Sequence, residues 1–219
     1  MSNENGLNIG KKIRAARQSQ RLSLRELAAR ADVSPSMLSQ IENDRANPSV
    51  TTLYNIAGAL SISLNYFFPD SESDSQRQPT PILLTNTTAS ELRADYGSAF
   101  DGISSPGEKS PVVTPTSRLA IELKGGVRWE RLTAAEEKDV QFLEIQYLPG
   151  ASSGATMSHH SGREFGLILQ GTLKLELGFE HYILNAGNSI IFDSTTPHRL
   201  SNEGTETVRA IWILLNRSL

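Results

Sequence analysis

Apolar residues recur at helical spacing up to about residue 68, and beyond residue 112 they fall at alternate positions. In the first part Ile9, Ile13 and Ala16 share one helical face, with Lys11, Lys12, Arg14 and Arg17 around them. Leu24, Leu27, Ala28 and Ala31 form a second stripe. Met37, Leu38 and Ile41 form a third after the break at Asp32-Val33-Ser34. Ser23, Ser34 and Ser49 stand where N-caps belong, and Pro35 suits the first turn behind its cap. Two short helices rich in small residues, crossing through so tight a turn, leave the second projecting with a polar outer face. That geometry presents a recognition helix to a DNA major groove.

In the second part the alternation predicts strands over 118–123, 127–132, 140–148, 163–169, 172–177, 181–184, 189–192, 198–201 and 207–215. Turn residues separate them: Gly125-Gly126, Pro149-Gly150, Gly171, Gly178, Ala186-Gly187, Pro197 and Glu203-Gly204. Short strands at this spacing, with no convincing helix, predict a jelly roll or small barrel. The expected fold class is therefore α + β multidomain, with an all-α amino-terminal domain of about five helices at 1–69 and an all-β barrel at 112–219.

Residues 70–111 are expected to link the two. The run DSESDSQRQPTP has no large apolar residue, so it is expected to be disordered or extended. Beyond that run, residues 82–84 fit a short strand and residues 89–96 about two helical turns. Two roles stay open for the segment: a tether, or a piece that docks on a domain or across a dimer.

The net charge of −3 divides unevenly, with +3 on residues 1–68 and −6 on the remainder. The basic excess thus lies with the tight pair of helices, as phosphate attraction requires, but it is mild enough that useful affinity calls for a dimer. The absence of cysteine excludes disulfides, thiolate metal sites and a cysteine nucleophile. With no apolar leader and no run of membrane-spanning length, the expectation is a soluble cytoplasmic protein with no membrane partner.

Residues 7–68 resemble the lambda-repressor-like (XRE) helix-turn-helix family. The resemblance rests on L-x-E-L-A from Leu24, V-S-x-S-x-x-S-x-I-E-N from Val33, and N-P-S-x-x-T-L from Asn47. It implies DNA contacts by Ser34, Pro35, Ser36, Ser39 and Gln40 at the start and middle of the recognition helix, with phosphate contacts by Asn43 and Arg45. Gln40 is the strongest candidate for specificity, since its amide pairs bidentately with adenine. Leu24 stands where the family often has Gln, which puts one phosphate contact in doubt. The resemblance also implies an ion pair between Arg17 and Glu42, structural in role.

HSGREFGLILQG from His160 and AGNSIIFDSTTPHRLSN from Ala186 resemble the two motifs of the cupin family, over roughly residues 112–219. The resemblance implies a barrel whose metal ligands fall on His160, Glu164 and His198, while the first ligand position holds Ser158. His160 and Glu164 have the parity of one strand face, and His159 has the other. Two histidines and a carboxylate suffice for non-haem Fe(II) and are acceptable to Zn(II). Two readings are open: no required cofactor and a polar pocket for an organic effector, or a divalent metal on those three residues. Arg163 is expected at the rim. Trp129, Phe192, Arg209 and Trp212 are further candidates, the tryptophans fitting core packing better. Glu164 suits a cationic ligand, whereas Arg163 and Arg209 argue for an anion.

Together the halves resemble transcription regulators of the XRE-cupin type. That implies no enzyme. It implies a DNA-binding protein, a repressor by the commoner pattern, dimeric through its cupin domains. It would read a pseudo-palindromic operator in response to a small-molecule effector. The alternative is a non-haem iron cupin oxidoreductase of the epoxidase kind carrying an XRE-like domain. The polar residues kept at Ser34, Ser36, Ser39, Gln40, Asn43 and Arg45 favour the regulator.

Overall fold

A computed structural model describes residues 9–69, 111–137 and 139–215. The expected linker, with its strand at 82–84 and helical turns at 89–96, lies almost wholly outside the described residues. The amino-terminal part holds α1 (Ile9–Ser19), α2 (Leu24–Arg30), α3 (Pro35–Glu42) and α4 (Val50–Leu60), followed by a 3₁₀ turn over Leu64–Phe67. The expected five helices are thus four α-helices and one 3₁₀ turn.

Caps decide where these helices begin. Ser23 and Glu26 form a capping box: Glu26 N donates to Ser23 Oγ at 3.2 Å, and Ser23 N donates to Glu26 Oε2 at 2.7 Å. Met37 N donates to Ser34 Oγ at 3.1 Å with Pro35 next in line, and Thr52 N donates to Ser49 Oγ at 3.1 Å. The buried faces are those of the apolar stripes, with Ile13, Leu27, Leu38, Leu53, Ile56 and Phe67 fully enclosed. Gly10 lets α1 lie against the end of α3, because a Cβ there would overlap the carbonyl of Ile41. Arg17 ties the same two helices together. Its Nε and Nη2 donate to the two carboxylate oxygens of Glu42 at 2.6 and 2.8 Å, and its Nη1 donates to the Leu22 carbonyl at 2.9 Å. The expected ion pair is present.

The described carboxy-terminal residues form β1 (Leu119–Leu123), β2 (Val127–Arg131), β3 (Val140–Tyr147), β4 (Arg163–Gln170), β5 (Thr172–Leu177), β6 (Glu180–Asn185), β7 (Ser189–Asp193), β8 (His198–Ser201) and β9 (Val208–Leu215). Six of them make an antiparallel sheet in the order β1-β2-β3-β9-β4-β7, and β6-β5-β8 make a second. The register puts Trp129, Ile145 and Ala210 on one face, and Leu143, Trp212 and Gly166 beside them on the same face. That face packs inward. Gly166 leaves room for the Trp212 indole, whose ring atoms a Cβ would overlap.

The two parts touch. Lys124 N donates to the Pro48 carbonyl at 2.9 Å, and Thr51 N donates to the Ser153 carbonyl at 3.0 Å, which seats the start of α4 on the barrel. Among the described residues no helix is long and apolar enough to cross a membrane.

Candidate functional site

The outward face of α3 is polar and open. Ser34, Pro35, Ser36, Gln40, Asn43 and Arg45 are exposed, and Ser39 is half-buried. Their side chains are differently engaged. Ser34 Oγ caps the helix and shares a hydrogen bond of 3.1 Å with Ser36 Oγ. Asn43 Nδ2 donates to the Ser39 carbonyl at 2.7 Å and so closes the end of α3. Gln40 and Arg45 keep their side chains free of hydrogen bonds within the described residues, so each can serve an external partner.

The second site lies inside the barrel. A small, partly open cavity is lined by aromatic side chains (Trp129, Tyr147, Trp212 and Tyr54), by Ser153, Ser158, Glu164 and His198, and by aliphatic groups. The Nε2 atoms of His160 and His198 and Oε1 of Glu164 converge there. Glu164 Oε1 is 2.9 Å from His160 Nε2 and 3.2 Å from His198 Nε2. One ligand atom from each residue falls within 4.8 Å of the others.

His198 Nδ1 lies 2.9 Å from the Thr196 carbonyl, and His160 Nδ1 lies 3.2 Å from the Ser161 carbonyl. Those acceptors hold the proton on Nδ1 and turn Nε2 toward the centre, the usual support of a metal-binding histidine. The other carboxylate oxygen, Glu164 Oε2, accepts a hydrogen bond of 2.6 Å from Trp212 Nε1. Neither His160 Nε2 nor Glu164 Oε1 has a hydrogen-bond partner of good geometry, although both are buried. Converging, orphaned donor atoms of this kind fit a divalent cation.

Burial works against the Glu164 charge, but the close approach of the His160 and His198 imidazoles outweighs it and holds the carboxyl well below the usual range. Burial likewise lowers His198, yet pairing with Glu164 and the Thr196 carbonyl leaves it above its ordinary value. Burial, with the nearby Glu164 charge, raises both Tyr54 and Tyr147, so each stays a neutral phenol. The cavity thus joins one carboxylate and two imidazoles to aromatic walls. It is chemically suited to a compact positive group, a metal ion or an organic cation.

Several expected pocket residues stand elsewhere. Arg163 is exposed on the outer face of β4, its guanidinium 5.6 Å from the Phe165 ring, because it has the parity opposite to Glu164. Arg209 also faces out, and its Nε and Nη2 each donate to Glu144 Oε1 at 2.7 Å. With both arginines outside, the argument for an anion falls. His160 does face inward, but it lies before β4, separated from it by the bend at Ser161 and Gly162, so strand parity is not the cause. Its backbone is fixed by His160 N donating to the Ser194 carbonyl at 2.9 Å. His159 is exposed, as expected. Ser158 is in the pocket wall opposite His198 and pairs with it backbone to backbone.

Phe192 packs beside His198, with ring centroids 5.1 Å apart. Trp129 and Trp212 belong to the buried core, as expected, and the same rings also line the cavity. The sequence offered a clue for Trp212, which shares inward parity with Ala210 and Leu214. Tyr54 was missed altogether. It belongs to α4, where Val50 and Tyr54 form a stripe one turn apart, beside the core stripe of Leu53, Ile56 and Leu60.

A capped helix-turn-helix joined to a cupin barrel defines the class: the chain is a helix-turn-helix transcriptional regulator with a cupin domain. Residues 13–67 match the helix-turn-helix family and residues 143–214 the cupin domain family. The HTH-type transcriptional regulator PuuR of Escherichia coli is 27% identical over 214 residues, covering 96% of each chain. SutR, another HTH-type transcriptional regulator of Escherichia coli, is 26% identical over 196 residues, covering 90% of this chain and 88% of its own. The crystal structure of an HTH_3 family transcriptional regulator from Vibrio cholerae superposes with a TM-score of 0.60 at 22% identity, over 96% of both chains. PuuR and SutR, curated relatives that each cover 90% or more of this chain, are regulators, so the oxidoreductase alternative is not favoured.

Proposed function

We infer that this regulator binds a pseudo-palindromic operator as a homodimer, represses transcription from it, and is governed by a small effector held in the cupin barrel. The observation that carries this reading is the free, exposed Gln40 at the middle of α3, flanked by exposed Ser36 and Arg45. Gln40 would read an adenine edge, Pro35, Ser36 and Ser39 would shape the approach, and Asn43 and Arg45 would meet phosphate. Ser34 would serve DNA mainly by capping the helix that carries these residues.

Dimerisation is supported by the outer face of the six-stranded sheet. Phe142 stands opposite Ile213, and Ile213 opposite Phe165. Phe165 in turn stands opposite Ile191, and Leu167 opposite Ile211. Leu167 and Ile191 are 42% and 49% exposed, an apolar strip that a second copy would cover.

The barrel site is read as an effector site for a cationic group. His160, Glu164 and His198 would hold a divalent metal such as Zn(II) or Fe(II), and when bound it would supply a Lewis-acidic anchor for an effector's oxygen or nitrogen. Ser158 in place of a fourth ligand leaves that side of the pocket to the effector.

A mobility-shift assay with fragments of the source genome tests the regulator, with a reporter gene reading the sign of control. A retarded complex with a steep salt dependence is expected. No shift at low salt, together with iron-dependent oxygen consumption, would overturn the reading.

A further inference from the structure

The helix that comes after the recognition helix closes the barrel. Besides the Lys124–Pro48 and Thr51–Ser153 backbone bonds, Thr51 Oγ1 donates to the Ser153 carbonyl at 3.3 Å. Farther along, Asn65 Nδ2 donates to the Glu137 carbonyl at 3.0 Å, and the Arg131 guanidinium lies 5.8 Å from the Phe68 ring centroid. Gly154 makes the seat possible, since a Cβ there would overlap Thr51 Oγ1. In this seat Val50 and Tyr54 become part of the cavity wall. The Tyr54 ring stacks on His160, with centroids 4.2 Å apart and planes 6° apart. It also meets Trp129 edge-on, with centroids 6.1 Å apart.

We propose that the effector site is completed by the DNA-binding domain: Tyr54 is a wall and positioning residue of the barrel pocket, so ligand occupancy and the docking of α4 stabilise each other. This rests on the barrel pocket being the effector site. A group held by His160, Glu164 and His198 shares the cavity with Trp212 and Tyr147 from the barrel and with Tyr54 and Val50 from α4. Undocking α4 removes two walls, opens Trp129 to water and frees the His160 ring from its stack. A ligand that uses those walls therefore binds the docked arrangement more tightly, and by linkage it strengthens docking by the same factor. Pro35, Ser36 and Gln40 stay exposed while α4 is docked, so the docked form presents its recognition helix to DNA. Docking then dictates where the two recognition helices of a dimer stand relative to each other.

The chain's two tryptophans, Trp129 and Trp212, both line this pocket, so tryptophan emission of the full-length protein reports on it directly. Tyr54→Ala removes the wall, and Gly154→Val wedges the seat apart without touching the pocket. Both are expected to shift emission to the red and steepen acrylamide quenching, with helical circular dichroism retained. Tyr54→Phe is expected to behave as wild type. Zn(II) serves as the ligand probe. Tyr54→Ala should weaken its binding about tenfold. The change that Zn(II) makes in operator affinity, about fivefold or more in wild type, should fall to within about twofold in both variants.

Unchanged quenching in Tyr54→Ala and Gly154→Val would overturn the proposal, and so would an undiminished Zn(II) effect on operator affinity. If Zn(II) fails to bind the wild type, the metal reading of the barrel falls. The quenching of the two variants then decides the docking by itself.

Discussion

Removing Glu42 should destabilise the helical domain without altering what it reads. Glu42 and Arg17 side chains are 3% and 11% exposed, and both carboxylate oxygens are engaged by the guanidinium. Deleting one partner of such a pair strands the other charge in a poorly solvated place, at a cost of about 3–5 kcal/mol. The lower end applies, since Arg17 keeps its bond to the Leu22 carbonyl and some access to water. Glu42 also sits at the C-terminal end of α3, where the helix dipole disfavours a negative charge, so the pair itself contributes less than its deletion costs.

Glu42→Ala is therefore expected to lose about 3 kcal/mol, and Arg17→Met/Glu42→Leu should regain most of it. For a domain of this size that is a fall in Tm of about 12–24 °C. The assay is thermal and urea unfolding followed at 222 nm, where the helices dominate, read as a double-mutant cycle. At temperatures where Glu42→Ala is still folded, its base preference at the operator should match wild type. A loss below about 1 kcal/mol, or a double variant as unstable as the single one, would refute the reasoning.

Gln40→Ala should relax preference at one operator position by about 1–3 kcal/mol, whereas Arg45→Ala should weaken all sequences alike and reduce the salt slope by about one, both read by mobility shift at several salt concentrations. Trp212→Phe keeps an aromatic side chain but removes the hydrogen bond to Glu164, and should cost about 10–100-fold in Zn(II) affinity by calorimetry, with about 1–3 kcal/mol of barrel stability lost to the smaller ring. Gly166→Ala, which pushes a methyl into the Trp212 ring, should destabilise the barrel by about 1–3 kcal/mol and alter tryptophan emission. Burial pushes the Glu130 carboxyl up, but hydrogen bonds from Arg128 and Arg118 outweigh it and leave it below 4.5. Its contribution is thus present above that pH and lost as the pH falls through the lowered value. The stability gap between wild type and Glu130→Gln should close on acidification, as thermal unfolding across pH will show.

The local grammar of this protein was legible residue by residue. Ser23, Ser34 and Ser49 announced the starts of α2, α3 and α4 because an N-cap is a contact between neighbours in the chain, independent of the rest of the fold. Alternation marked the strands, since a pleat reverses its side chains at each residue whatever lies across the sheet. The resemblance to the cupin motifs picked out His160, Glu164 and His198, and these do converge. The same parity, applied strictly, would have turned Arg163 outward from Glu164.

What no local pattern carries is which surfaces meet. Arg209 was a candidate for the pocket until its partner, Glu144 on a strand 65 residues away, proved to be outside it. Trp129 and Trp212 read as core and are core, but that the same rings also border a cavity depends on what stands across from them. Tyr54 lies in another domain, 106 residues before His160, and nothing in α4 says that a barrel will be stacked against it. By itself the sequence determined the helix-turn-helix and the barrel strands, because hydrogen bonds and periodicities within an element act over a few residues, while the polar trio was legible only through the resemblance to the cupin motifs. Only the tertiary structure decided that the DNA-binding domain forms a wall of the pocket, because docking depends on the fit of two surfaces that exist only after each half has folded.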